Sequence, residues 1–141
     1  MISVQRLAIA GLFIAGAASA QSPKDPGFGQ YLFPPEVIMQ HQQAIGLMPP
    51  QRAAITEAMQ KMQSSVIDLQ WRMQEETQRL TEIVKPHEVD ETAALTQVEK
   101  VLGVEREIKK AHLAMLIRIK KTLSAEQLAK LAALRDDVTK E

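Results

Sequence analysis

Three histidines are the side chains of this 141-residue chain best suited to bind a metal ion, because the sequence contains no cysteine. They are His41, His87 and His112, and imidazole nitrogen is a ligand for zinc and nickel. If the helices that carry His41 and His112 pair antiparallel, helix rise sets the two side chains on the order of 10 Å apart. His112 also suits a hydrogen-bonded position between helices, and His87 suits solvent. The sequence therefore predicts no bound cofactor and keeps a divalent metal as the alternative.

Two glutamates, Glu76 and Glu105, occupy positions of a helical repeat where apolar residues are expected. A buried carboxylate without a partner is costly, so each should find a polar neighbour or reach water. With facing residue numbers summing to about 175, Glu105 would lie near Gln70 and Arg72. We interpret the two glutamates as an internal polar layer that fixes helix register. No nucleophile or orienting group accompanies them, so the sequence does not predict an enzyme.

The element that must position these side chains is one long helix from Pro49 to Lys85, which no glycine or internal proline interrupts. Its apolar residues recur in alternating steps of four and three, which is the heptad pattern of helices that pair along a seam. The predicted seam consists of Ile55, Met59, Met62, Val66, Leu69, Met73, Leu80 and Ile83. At about 1.5 Å per residue the helix would span roughly 55 Å.

Three further helices are predicted around it. A short helix runs from Pro35 to Ile45, with proline at its start and Gly46 just beyond its end. Pro86 ends the long helix, Asp90 is the N-cap of the third helix, which extends to about Thr122, and Ser124 caps the fourth. The predicted seam of the third helix consists of Leu95, Val98, Leu102, Glu105, Ile108, His112, Met115 and Ile119.

The first twenty residues, Met1 to Ala20, read as a cleavable signal peptide with a basic flank, a short apolar run and an A-x-A cleavage site. The apolar run is too short for a good membrane span. Residues 21–34 form an irregular leader that holds most of the aromatic residues, and 35–141 form one helical domain. The sequence leaves open whether the leader lies across the helices or is disordered. Acidic and basic residues are equal in number, which argues against nucleic acid as a partner, and the signal indicates export to the periplasm.

Two similar stretches open the second and fourth helices: Leu47-Met-Pro-Pro-Gln51 and Leu123-Ser-Ala-Glu-Gln127. In the second stretch Ser124 and Gln127 form a capping box; in the first, Met48 stands where a capping Thr is expected. The pair resembles the two L-T-x-x-Q motifs of the Spy/CpxP family of periplasmic stress proteins, which is related to periplasmic heavy-metal sensor and resistance proteins.

The resemblance implies an all-α fold, a long antiparallel helical hairpin with short flanking helices, usually assembled as a cradle-shaped dimer. Metal-sensing relatives carry histidine and glutamate ligands, and registering their pattern on the two motifs places it at Met39, Gln43, Gln60, Met115 and Ile119. None of these is a histidine or a carboxylate. The candidate metal ligands are therefore Met115, which lies at one of these positions, and His41 and His112, which lie near them but off register.

Apolar residues off the main seam mark a surface for another protein, because Ile67 and Trp71 fall on a neighbouring face of the long helix. Basic residues late in the third helix would attract unfolded chains electrostatically. The predicted client or dimer contacts are Ile67, Trp71, Met73, Leu113, Leu116, Lys109, Lys110 and Arg118.

Three functions follow from this reading. The first is a periplasmic, ATP-independent holding chaperone or envelope-stress adaptor that binds unfolded proteins as a homodimer. The second is a zinc, nickel or cobalt sensor or resistance protein of the same fold. The third is a structural coiled-coil partner of a membrane-bound sensor or complex.

Overall fold

The computed structural model describes residues 29–138, with side chains to Arg135, and within this range it contains four helices and no strand. The helices are α1 (Pro35–Gln40), α2 (Pro49–Val84), α3 (Glu91–Thr122) and α4 (Ala125–Val138). The predicted all-α architecture with a long hairpin is confirmed. The predicted signal peptide, and the leader as far as residue 28, lie outside the described residues.

The hairpin of α2 and α3 is the scaffold, and α2 alone has 36 residues, or about 54 Å at the usual helix rise. All eight predicted seam residues of α2 are buried or half-buried, so the heptad interpretation is confirmed. The chain bends at residues 85–88, where Pro86 prevents the helix from continuing. Asp90 caps α3, because its Oδ1 accepts a hydrogen bond of 3.0 Å from the Ala93 amide.

The predicted seam of α3 is wrong at four of its eight positions. Leu95, Leu102, Glu105 and His112 are exposed, so Glu105 belongs to no internal layer. The positions that pack toward α2 are Ala94, Gln97, Val101, Val104, Ile108, Ala111, Met115 and Ile119. Six of these eight positions hold alanine, valine or isoleucine. The leucines are consequently left on another side of α3.

The first helix is shorter than predicted, because α1 ends at Gln40 and residues 41–46 form successive hydrogen-bonded turns. Gly46 has a φ of 64°, a left-handed conformation that glycine adopts without strain. These turns return the chain toward the hairpin and place Ile45 in the core, 3% exposed, beside the fully buried Ile38.

The core lies at the end of the hairpin where all four helices meet. It is formed by Phe33, Ile38, Ile45, Ile55, Ala58, Met115, Ile119, Leu123 and Leu131. Leu131 of α4 is fully buried, so α4 closes this end. Burial of each large aliphatic side chain contributes about 1.5–3 kcal/mol to the free energy of unfolding. In the described part of the chain, most of that burial occurs at this end of the hairpin rather than along the length of α2 and α3.

The described end of the leader, residues 29–34, lies against the helices, which answers the question left open by the sequence. Phe33 is buried in the core, and the Arg135 guanidinium stacks over its ring at 4.8 Å from the centroid. Arg135 also donates hydrogen bonds to the carbonyl oxygens of Gly29, at 2.7 Å, and Gln30. Tyr31, in contrast, remains exposed.

Two glycine-to-alanine substitutions should shift stability in opposite directions. A Cβ at Gly103, within α3, or at Gly46 would meet no atom within 4 Å, so backbone conformation alone decides each effect. Gly103→Ala should raise the free energy of unfolding by about 0.5–1 kcal/mol, and Gly46→Ala should lower it by about 1–2 kcal/mol because of its positive φ. Urea unfolding of the two variants checks both signs, and a loss of stability in Gly103→Ala would show that a close approach exists there.

Candidate functional site

The two Leu-x-x-x-Gln stretches meet through their glutamines. Gln51 Nε2 donates to Gln127 Oε1 at 2.7 Å, and Gln127 Nε2 donates to Gln51 Oε1 at 3.0 Å. Gln51 also donates to the Thr122 carbonyl oxygen at 3.0 Å. The Gln127 side chain additionally contacts the carbonyl oxygens of Ile45 and Gly46 at 3.3 and 3.4 Å. This amide pair therefore ties the α1–α2 turn to the α3–α4 turn.

The same two glutamines cap the helices that they open. Gln127 Oε1 accepts from the Ser124 amide at 2.9 Å, and Ser124 Oγ accepts from the Gln127 amide at 3.1 Å, so the predicted capping box is confirmed. Gln51 Oε1 accepts from the Met48 amide at 3.0 Å. Leu123 is buried and Leu47 half-buried against the core. The motif residues are thus structural.

A second polar contact crosses the hairpin near its far end, where Glu76 faces Gln97. The Gln97 Nε2 donates to Glu76 Oε2 at 2.6 Å and to the Glu76 carbonyl oxygen at 2.9 Å. Arg79 pairs with the other carboxylate oxygen at 3.0 Å. The predicted polar layer exists at Glu76, but its partner is Gln97. Gln97 is buried, and the sequence interpretation missed it because it followed the leucines of α3.

The contact between Glu76 and Gln97 should affect how the free energy of unfolding depends on pH. The Gln97 hydrogen bond, together with the positive charges of Arg79 and Lys100, holds the pKa of Glu76 below its ordinary value of 4.5, against the opposing effect of partial burial. A lowered folded-state pKa stabilises the fold above pH 4.5, and the benefit is lost as pH falls through the lowered pKa. Glu76→Gln should flatten the stability profile in that acidic range, measured by urea unfolding. The exposed neighbour Glu75 provides the control, since Glu75→Gln should keep the wild-type profile.

One side of α2 carries no charge over most of its length. The residues on this side are Thr56, Gln60, Gln63, Ile67, Gln70, Trp71, Gln74, Gln78 and Thr81. The helical period of about 3.6 residues places the charged residues on the opposite flank of α2. These are Glu57, Lys61, Asp68, Arg72, Glu75, Arg79 and Glu82. Ile67 and Trp71 lie within the uncharged side, 54% and 66% exposed. They line a shallow cavity of about 280 Å³ with Gln70 and Gln74.

Exposed apolar residues of α3 lie on the same face of the hairpin. Trp71 precedes Glu76 by five residues and Leu102 follows Gln97 by five, so the Glu76–Gln97 bond places Leu102 level with Trp71. A rotation of about 100° per residue along the two antiparallel helices turns Ile67, Leu95, Leu102 and Leu113 toward one side of the hairpin, and it turns Trp71 and Ile117 toward the two outer edges of the hairpin. We define the apolar face as Ile67, Trp71, Leu95, Leu102, Leu113 and Ile117, all of which are exposed.

The structure separates the predicted contact residues into three groups. Ile67, Trp71 and Leu113 belong to the apolar face, and helical rotation brings Lys109 beside them. Met73 and Leu116 are half-buried in the hairpin packing. Lys110 and Arg118 are exposed but turn toward other sides of α3.

Three residues of the apolar face were missed as contact residues: Ile117, and also Leu95 and Leu102, which the predicted helix seam includes. Leu95 and Leu102 are one heptad apart, and Lys109 follows Leu102 after another seven residues. This spacing is a signal that could have identified a second stripe on α3.

The candidate metal ligands lie at the C-terminus of α1 and on α3. His41 is the C-cap residue of α1, His112 is exposed with its Nδ1 at 3.0 Å from the Ile108 carbonyl oxygen, and Met115 is a core residue. The expectation of a core position for His112 is wrong. In the part of the chain that the structure describes, no three histidine, aspartate or glutamate side chains converge to hold a metal ion. Among the described helices, none has the length and apolar character to cross a membrane.

Comparison with known proteins places the chain in a family. The family described as heavy-metal resistance matches residues 6–130, which covers most of the sequence. Curated proteins and solved structures gave no match. The family match confirms the expected relation to heavy-metal resistance proteins and agrees with the all-helical hairpin. The chain therefore belongs to the heavy-metal resistance family.

Proposed function

We propose that this protein is a periplasmic, ATP-independent holding chaperone that binds apolar segments of unfolded proteins reversibly and catalyses no covalent chemistry. The observation that carries the proposal is the apolar face, with six large apolar side chains exposed on the outer surface of a hairpin. Several exposed large apolar side chains on one element are characteristic of protein interaction sites. The uncharged side of α2 favours it further, since glutamine can hydrogen-bond to an extended backbone without selecting its charge.

Basic charge beside the apolar face supports an early electrostatic step. Within residues 29–135, Lys109 forms no ion pair, whereas Arg106 pairs with Glu99 at 3.6 Å and Lys110 with Glu107 at 3.3 Å. A free cation next to leucines would attract acidic stretches before apolar contacts form. Client binding should therefore weaken as salt is raised, although the apolar component should persist.

A homodimer is part of the proposal. The uncharged side of α2 can pack against the same side of a second copy without like-charge repulsion, and Ile67 and Trp71 lie near its middle. A two-fold axis close to residue 69 would bring Ile67 of each chain to Trp71 of the other, a self-complementary arrangement. The second copy and the client would then compete for Trp71.

The family match favours a second candidate, a metal-responsive or metal-resistance protein. Within the described residues, no three histidine, aspartate or glutamate side chains converge to hold a metal ion. The alternative therefore needs ligands from a second copy or from residues outside the described range. Saturable nickel, cobalt or zinc binding would favour it, and exclusive binding to one membrane protein would indicate a structural partner instead.

Light scattering of a denatured model protein, diluted with and without the mature chain, tests the proposal. We expect suppression of aggregation near equimolar ratio in the presence of a chelator, with no nucleotide added. The measurement is then repeated in zinc and in nickel. Absence of suppression in chelator would contradict the chaperone proposal, and suppression that appears only with metal would favour the second candidate.

A further inference from the structure

A separate cavity lies where α1 meets the first turns of α2. Its volume is about 310 Å³, at the lower end of small-ligand sites, and its lining includes Ile38, Leu47, Ile55 and Met59. Ile38 and Ile55 belong to the core, so the floor of the cavity is rigid and apolar. The volume suits one large apolar group rather than a long chain segment.

Polar groups at the rim of this cavity are free to bind a ligand. Arg52 and Gln42 also line it, and within the described residues neither side chain forms a hydrogen bond or an ion pair. A guanidinium and an amide donor beside an apolar floor suit a carboxylate attached to an apolar group, because charge-assisted hydrogen bonds to carboxylates are strong. Thr56 Oγ1 donates to the Arg52 carbonyl oxygen at 2.9 Å, which leaves its oxygen as an acceptor for a ligand N–H.

Hydrogen-bonding residues of α2 connect the cavity to the apolar face. Thr56, Gln63 and Gln70 recur at intervals of seven residues, so they follow one side of α2 from the cavity to Ile67. A bound chain could place its last side chain in the cavity and continue along these hydrogen-bonding residues. An aliphatic chain without amides would gain nothing from them.

We propose that this cavity binds the C-terminal residue of a client, an apolar side chain with its free α-carboxylate on Arg52. The proposal rests on the proposed chaperone function and specifies the class of segment that the chaperone prefers. It predicts that unfolded chains ending in phenylalanine or leucine are held more tightly than chains that end in a polar residue.

Fluorescence anisotropy of a labelled peptide ending in phenylalanine tests this with the mature chain. Amidation of the peptide C-terminus should weaken binding about tenfold, the size expected for a charge-assisted hydrogen bond, and replacement of phenylalanine by serine should weaken it at least as much. Arg52→Gln should reduce affinity for the free acid about tenfold and abolish discrimination between acid and amide. The control Lys61→Gln removes the same charge from the other flank of α2 and should change neither value.

Three outcomes would overturn the inference: equal binding of acid and amide, an amidation effect that survives Arg52→Gln, or displacement of the peptide by decanoate at matched concentration, which would assign the cavity to a fatty acid. Aggregation suppression is measured on the same samples. If suppression persists while discrimination is absent, only the cavity assignment fails. If suppression is absent too, the proposed function fails.

Discussion

Replacing Gln127 by alanine is expected to lower the free energy of unfolding by about 3 kcal/mol, one of the largest effects available outside the apolar core. Gln127 is 8% exposed and its side chain contacts Gln51, Ser124, Ile45 and Gly46. Buried polar groups left without partners cost about 1–3 kcal/mol each, and this substitution leaves several. Urea unfolding followed by circular dichroism measures the difference.

The two reciprocal hydrogen bonds between Gln51 and Gln127 can be tested more directly with a double variant. Gln51→Ala should also destabilise, and the double variant should lose less than the sum of the two single losses by at least about 1 kcal/mol, because the two side chains share one interaction. Gln60→Ala, an exposed glutamine of α2, is the control and should change stability by less than about 0.5 kcal/mol. Additive losses would contradict the amide pair as the link between the two turns.

The second large effect is an expected loss of client binding without a loss of folding stability. Trp71→Asp together with Leu102→Asp should reduce client affinity at least tenfold, because burial of each large apolar side chain contributes about 1.5–3 kcal/mol and the variant places charge at the centre of the face. Both residues are exposed, so the free energy of unfolding of the monomer should change little. Aggregation suppression at increasing concentration of the variant measures the loss.

Ser65→Asp is the matched control for this pair. Ser65 lies between Lys61 and Asp68 in steps of four and three, and therefore on the charged flank of α2. It should suppress aggregation as the wild type does. If Ser65→Asp were as damaging as the double variant, added negative charge rather than the apolar face would explain the result.

The sequence predicted the structural features that depend only on residues close to one another in the chain. The heptad of α2, the Asp90 cap and the Ser124–Gln127 capping box are of this kind, because local geometry alone satisfies them. The two Leu-x-x-x-Gln stretches were recognised as similar, but their contact was not predicted. That contact joins residues 76 positions apart, and only the packing of all four helices brings them together.

The phase of α3 could not be read from its apolar pattern, because two patterns overlap. One, with Leu95 and Leu102, remains exposed; the other, with Val101 and Val104, packs against α2. The sequence periodicity favoured the leucines, whereas the inner face of α3 holds mainly alanine, valine and isoleucine. The same ambiguity hid Gln97 as the partner of Glu76 and moved Glu105 and His112 into a seam that they do not occupy.

Trp71 permits a direct measurement of the central claim, since it is the only tryptophan in the sequence and lies in the apolar face. Its fluorescence is recorded while an unfolded client without tryptophan is added to the mature chain, after a dilution series has defined the contribution of any dimer. If the apolar face holds the client, emission should shift to shorter wavelength and quenching by iodide should fall, both saturating with client. Unchanged emission and quenching, under conditions where scattering shows that the client is held, would contradict the account.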